Sequence, residues 1–187
     1  MSHTLVIDGH PNPDSFCAAL AQAYTESATD AKLIALRDLD FDLNMRYGYA
    51  KKMEIEPDLA NARQAFREAR HLVVVTPVWW GSVPALLKGF FDRALLPGQD
   101  YTYSDRGLPV GLLKGRSARL LVTCDTPRFL FPLMPYAKID SVSKGTLKFC
   151  GFKPVKVSRF TPVKTSTVEK REQWLQSVRD LASQEAR

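Results

Sequence analysis

The segment His71-Leu72-Val73-Val74-Val75-Thr76 constrains this chain most, because four successive residues in it are apolar with no polar alternation between them. A strand with one wet face alternates, whereas a strand apolar on both faces has to be covered on both, as the central strands of parallel sheets are. Leu5-Val6-Ile7 and Ala118-Arg119-Leu120-Leu121-Val122-Thr123 read as further buried strands, Lys32-Leu33-Ile34-Ala35-Leu36 as a second strand and Val155-Lys156-Val157-Ser158-Arg159-Phe160 as a last, alternating one. Helical patterns separate them. Phe16, Leu20 and Tyr24 recur every four residues behind a cap at Asp14 or Ser15. Pro57 starts a helix that turns Leu59, Ala62, Ala65, Phe66 and Ala69 inward, and Pro84 begins one running to about Leu95. A further helix is expected from Tyr136 or Ala137 to Phe149, stopped at Gly151, and a final one, capped by Ser166 or Thr167, carries Val168, Trp174, Leu175, Val178 and Leu181. Strands alternating with helices predict a doubly wound α/β fold, a parallel sheet with helices on both faces. The stretches Asp40 to Glu56, Pro97 to Gly115 and Arg128 to Pro135 are expected as loops, the last an apolar lid broken by Pro132 and Pro135.

With 187 residues the chain is expected to form a single domain, 1–187, with a core that needs no disulfide or metal staples. Cys17, Cys124 and Cys150 are odd in number and contain no CxxC pair, which argues against a disulfide framework and a cysteine-rich zinc site; no metal is expected, and a reducing cytoplasm is the default. No stretch approaches the ~18 consecutive apolar residues of a membrane span, and the N-terminus runs into a strand pattern without the features of an export signal. The net charge is +6 and lies in the second half: residues 1–94 hold 10 basic and 12 acidic side chains, the remainder 16 and 8. Those cations are scattered over strand, loop and helix without interleaved aromatics, so no nucleic-acid partner is expected; an anionic dinucleotide suits them better.

In doubly wound sheets ligands gather at the carboxyl ends of the strands. The loop after strand one, Asp8-Gly9-His10-Pro11-Asn12-Pro13, runs into a helix N-terminus whose free N–H groups attract anions. His10 and Ser15 either add donors to a phosphate there or merely end a strand and cap a helix. The loop after strand three carries Trp79 and Trp80 before Gly81 and Ser82. Adjacent indoles cannot both enter one core, so at least one faces a planar ligand or a partner chain. After strand four, Thr123-Cys124-Asp125-Thr126-Pro127 brings hydroxyls and backbone amides to the same end, with Asp125 a cap or a ligand residue. A catalytic Cys124 would want a general base, and the sequence offers only His3, His10 and His71, the last of which opens its strand at the wrong end of the sheet. The sequence has no GxGxxG, GxxxxGK[ST], GxSxG or HExxH, which argues against triphosphatase, serine hydrolase and zinc protease chemistry.

The stretch Thr76-Pro77-Val78-Trp79-Trp80-Gly81-Ser82-Val83-Pro84-Ala85-Leu86-Leu87-Lys88-Gly89-Phe90-Phe91-Asp92-Arg93 resembles the flavin-binding segment of the flavodoxin-like NAD(P)H:quinone oxidoreductases. Gly9-His10-Pro11 with Ser15-Phe16, Tyr101-Thr102-Tyr103 and Leu147-Lys148-Phe149-Cys150-Gly151-Phe152 match in the same order. The resemblance implies a flavodoxin-like five-stranded sheet of order 2-1-3-4-5. It further implies a flavin whose phosphate end lies on His10, Ser15, Phe16 and Cys17, whose ring lies on Pro77, Val78, Trp79, Trp80 and Gly81, and whose other side is lined by Thr123, Cys124 and Asp125. Tyr101, Tyr103, Phe129 and Phe131 would be stacking walls for nicotinamide and acceptor. Family members are homodimers in which the partner completes each site; they move two electrons from NADH or NADPH through the flavin to a quinone or related acceptor in a ping-pong cycle. Larger members carry a Gly-rich turn after strand four and a Tyr and His beside the acceptor. Here no His follows His71, which leaves Tyr136, Asp125 or water as the acceptor-side acid, and the short C-terminus makes FMN the expected flavin with FAD the alternative. A redox-sensing or ancillary subunit of a potassium efflux transporter is the alternative role of such a site.

Overall fold

A computed structural model describes residues 4–134 and 139–185. The elements are β1 (Thr4–Asp8), α1 (Phe16–Ser27), β2 (Ala31–Ala35), α2 (Pro57–Glu68), β3 (His71–Pro77), α3 (Ala85–Ala94), β4 (Tyr101–Tyr103), β5 (Pro109–Gly111), β6 (Ser117–Thr123), α4 (Asp140–Val142, continued by a π-helical turn over Ser143–Lys148), β7 (Val155–Phe160) and α5 (Val168–Glu185). Five strands form one parallel sheet in the order β2-β1-β3-β6-β7, the expected 2-1-3-4-5 arrangement. All seven residues of β3 are buried. Its odd and even side chains divide between two cores: Val73 and Val75 meet Val6, Leu121, Phe160 and the inner faces of α1 and α5, while Leu72 and Val74 meet Leu5, Ile7, Leu120, α2 and α3.

Local signals hold where they are short-range. Ser15 caps α1, its Oγ accepting the Ala18 N–H at 3.1 Å, and Thr167 Oγ1 accepts the Lys170 N–H at 3.2 Å to cap α5. Gly151, at φ +109°, ends the helical run after Cys150 as expected. Val168 is exposed rather than inward-facing, because it opens α5 ahead of the first turn that touches the core. Leu36 leaves β2 for a 3-10 turn, Leu36–Asp38. The predicted loop from Pro97 to Gly115 contains a hairpin, with Tyr101 opposite Gly111 and Tyr103 opposite Pro109; three-residue strands are too short to show a periodicity. The expected helix start at Tyr136 or Ala137 and the last lid residue, Pro135, lie outside the described residues.

Two buried arginines fasten distant segments. Arg93 donates to the Asp42 and Glu54 carbonyls and to the Glu56 carboxylate, which holds the irregular 42–56 stretch on α3. Arg119 grips Glu185 through Nε to Oε2 at 2.7 Å and Nη2 to Oε1 at 2.6 Å, with the Tyr24 hydroxyl donating to the same carboxylate at 3.1 Å. His71 Nε2 stands 3.4 Å away. Although burial opposes ionisation, the hydrogen bonds and charge of Arg119 outweigh it and hold the Glu185 carboxyl well below the usual range. A carboxylate depressed in the folded state stabilises fully above its unfolded pKa, and that contribution fades as pH falls through the folded value. Glu185→Gln should therefore lower stability in urea unfolding by about 2 kcal/mol at neutral pH, as for a lost hydrogen bond to a charged group. Its deficit should shrink below about pH 4, where the unfolded wild-type carboxyl takes up its proton.

Candidate functional site

At the end of β1 the chain turns sharply at Gly9, where a Cβ would come within 2.9 Å of Leu87 and 3.2 Å of the Val75 carbonyl; the Gly9 N–H bonds that same carbonyl at 2.9 Å. The His10 N–H donates to Asp8 Oδ1 at 3.0 Å, and Arg37 Nη1 bonds both Asp8 Oδ2, at 2.5 Å, and the His10 carbonyl, at 3.2 Å. The Asn12 N–H donates to His10 Nδ1 at 3.0 Å, which places the ring proton on Nε2. Desolvation, the largest influence, lowers the His10 pKa and keeps the ring a neutral Nε2–H donor. Helix geometry leaves the Phe16 and Cys17 N–H groups of the first turn of α1 without intrahelical acceptors. Ser15 is thus a cap, with its hydroxyl proton still available for donation.

After β3, the Val78 N–H bonds the Thr123 carbonyl at 2.9 Å, and Trp79 and Ser82 exchange backbone bonds of 2.8 and 2.9 Å. Trp80 at φ 50° and Gly81 at φ 73° occupy the centre of this turn, the pattern of a type I′ turn. The turn's two bonds leave the Trp80 and Gly81 N–H groups outside them. It also splits the two indoles. Trp79 presents an edge-on contact to His10, with centroids 5.3 Å apart, while Trp80 is fully exposed, at 104%.

After β6, Thr123 Oγ1 and Cys17 Sγ are 3.2 Å apart, and burial pushes the Cys17 thiol up to about 12, which keeps it protonated and unreactive. Asp125 Oδ1 accepts the Lys164 N–H at 2.7 Å and the Cys124 carbonyl accepts the Val163 N–H at 3.1 Å, so the loop after β7 is tied to the loop after β6. Cys124 packs with Val78 and Phe131, bringing the lid onto this end of the sheet, whereas Phe129 projects into solvent.

These loops meet in one cleft of about 210 Å³, to which the first contributes His10, Ser15, Phe16 and Cys17, the third Pro77, Val78 and Trp79, and the fourth Thr123, Cys124 and Asp125. An adjoining cleft of about 480 Å³ shares Val78, Cys124 and Asp125 and adds Trp80, Gly81 and Thr126. All twelve residues named from sequence for the cofactor are thereby brought together. Val163 also lines the smaller cleft and was missed, because the loop after the last strand carries no residue type that announces a ligand. Tyr101 and Tyr103 do not line either cleft: they lie beyond the far end of α3, about 15 Å of helix from the tryptophan turn, against Phe149 at 5.0 and 6.4 Å. Tyr136 lies outside the described residues. A separate cavity of about 300 Å³ between Met45, Tyr49, Met53 and Leu96 lies at that same end of α3. Among the described residues no group of three or more His, Cys, Asp or Glu is placed to hold a metal, and no helix is long and apolar enough to cross a membrane.

The donor set divides in two: N–H groups at the α1 terminus with a neutral histidine, then an apolar and aromatic surface of Pro77, Val78 and Trp79. A flavin nucleotide divides the same way, into a phosphate and a flat ring, so these residues fit that group.

Fold and site together define a flavodoxin-like α/β protein. The family model described as flavodoxin-like fold matches residues 2–183, and the chain belongs to that family. It is 34% identical over 118 residues to the human ribosyldihydronicotinamide dehydrogenase [quinone], covering 55% of this chain and 46% of that protein. The match thus spans less than half of that relative's length. An uncharacterized NAD(P)H oxidoreductase of Haemophilus influenzae is 30% identical over 131 residues, covering 66% of this chain and 64% of the other. Among solved structures, Smu.1420 from Streptococcus mutans superposes with a TM-score of 0.83 at 27% identity over 97% of this chain and 98% of that one. An FMN-dependent NADH-azoreductase from Bacillus anthracis, in complex with FMN, superposes with a TM-score of 0.79 at 20% identity over the full length of both chains, a likeness of fold.

A tryptophan at positive φ carries backbone strain of about 1 kcal/mol that glycine does not. Trp80→Gly should raise the thermal unfolding temperature of the ligand-free protein, since the exposed indole gives up no packing in the single chain; calorimetry reads the shift directly.

Proposed function

We propose that the chain is a flavin-dependent NAD(P)H oxidoreductase. It would take two electrons as a hydride from NADPH or NADH and deliver them to a quinone or similar small acceptor in a ping-pong cycle. FMN is the flavin proposed, with FAD the alternative. The observation that carries this reading is the convergence of the three loops on one cleft whose donors and apolar surface match the two halves of a flavin nucleotide. The names of the human and Haemophilus relatives support the chemistry, and the FMN-bound azoreductase supports the choice of flavin.

Bound there, the flavin supplies reversible two-electron transfer, and the residues around it hold and tune it. His10 Nε2–H and the Phe16 and Cys17 N–H groups would bind its phosphate, while Pro77, Val78, Trp79 and Trp80 would carry the ring. The Trp80 and Gly81 N–H groups, outside the turn's own bonds, would offer fixed donors to negative charge on the ring, so no side chain would need a specially tuned pKa. Thr123, Cys124 and Asp125 would line the opposite side, and Phe131, packed on Cys124 and Val78, would help exclude water. Asp125, Tyr136 or water would supply the acceptor-side proton, and Asp125 Oδ1 already accepts the Lys164 N–H. Arg159 stands over the Phe131 ring at 5.6 Å, which brings one cation of the basic second half to the lid.

Tyr101 and Tyr103 stand too far from their own cleft to wall it. In a homodimer they would serve the partner's cleft, with Phe129 reaching the same space from the lid. A cytoplasmic, single-domain enzyme over residues 1–187, without a nucleic-acid partner, completes the proposal.

Anaerobic NADPH should bleach the visible absorbance of the flavin-loaded protein, and menadione should then sustain steady turnover. A protein that is reduced once and stalls would instead be a redox sensor or an ancillary subunit of a potassium efflux transporter, and one that is never reduced would contradict both roles. Trp80→Ala should weaken flavin retention about 10-fold, the scale of one aromatic contact. Trp174→Ala, which removes packing on Phe16 and Phe160, should act mainly on stability.

A further inference from the structure

The α1 terminus offers N–H groups to an anion, yet a carboxylate, Asp8, lies two residues before His10 and is only 1% exposed. A bare charge at that place would repel a phosphate in the cleft. Arg37, from the turn after β2, meets it: Nη1 bonds Asp8 Oδ2 and, from the same nitrogen, the His10 carbonyl, while Asp8 Oδ1 takes the His10 N–H. The peptide unit on each side of His10 is therefore held, one by the carboxylate and one by the guanidinium. The two charges also bear on the His10 ring in opposite senses, Asp8 favouring its cation and Arg37 opposing it.

We infer that Asp8 and Arg37 form a charge-balanced positioning pair for the phosphate of the flavin nucleotide: they fix the His10 turn without leaving a net charge beside the anion. Neither residue lines the cleft; each acts through His10. The inference rests on the flavin reading above and adds to it the residues that set phosphate recognition. Charge balance makes a prediction that simple scaffolding does not, because each half of the pair should act with opposite sign.

The readout is the affinity ratio of FMN to riboflavin, which differ only by the phosphate, measured by quenching of flavin fluorescence on purified apoprotein. Arg37→Gln leaves Asp8 uncompensated and should lower the ratio about 10-fold, with riboflavin binding little changed. Asp8→Asn leaves the cation and should raise the ratio, and a ratio lowered in this variant would also overturn the inference. The double variant Asp8→Asn with Arg37→Gln should return close to wild type, and Arg37→Lys should rescue most of the loss. The double variant also guards against misfolding, since it buries no unpaired charge. Equal losses for FMN and riboflavin in both single variants, with no recovery in the double variant, would show mere scaffolding and overturn the inference, as would a wild-type ratio retained in Arg37→Gln. A wild-type protein that takes up neither FMN nor riboflavin would instead defeat the flavin reading, and the inference with it.

Discussion

Everything in this structure depends on β3 being apolar on both faces and hydrogen-bonded on both edges, to β1 on one side and β6 on the other. Such a strand is stable only with a helical layer above and another below, so the chain crosses from face to face: α1 and α5 cover Val73 and Val75, and α2 and α3 cover Leu72 and Val74. Parallel pairing brings the carboxyl ends of β1, β3 and β6 to one rim. Because the residues that must be buried lie within the strands, the loops beyond them are free to carry polar and aromatic side chains. The cleft follows from the sheet.

At that rim the backbone carries much of the geometry. Gly9 allows the chain to pass beside Leu87, the Trp79–Ser82 turn sends its two indoles in different directions, and the Asp125 and Cys124 contacts to residues 163 and 164 close the side next to α5. Ion pairs anchored on buried arginines do comparable service at a distance, with Arg93 seating the 42–56 stretch and Arg119 seating the end of α5. Pairs of this kind contribute more through the cost of breaking them than through net attraction, so each fixes one arrangement of the segments it joins.

Features set by neighbours in the chain were legible in the sequence. The four-residue spacing of Phe16, Leu20 and Tyr24, the Ser15 cap and the apolar runs of β1, β3 and β6 each report a local preference, and together they give the fold class. The twelve residues proposed for the cofactor follow from resemblance and from their place at strand ends, and they meet in adjoining clefts. Features set by distant contacts were not legible. Arg93 reaches Asp42 across 51 residues and Asp125 reaches Lys164 across 39, and no periodicity records such a pairing. The β4–β5 hairpin was hidden by its brevity, and the positive φ of Trp80 by a residue type that seldom adopts it. Tyr101 and Tyr103 illustrate a different limit, since the fold separates them from the cleft within one chain and their proposed partner is another copy.

The central claim is that three strand-end loops build a flavin-nucleotide site. Its most direct test is to load the purified protein with an equimolar mixture of FMN and FAD, remove free flavin, and identify what heat releases. One FMN per chain is the result predicted; a protein that retains no flavin would contradict the account.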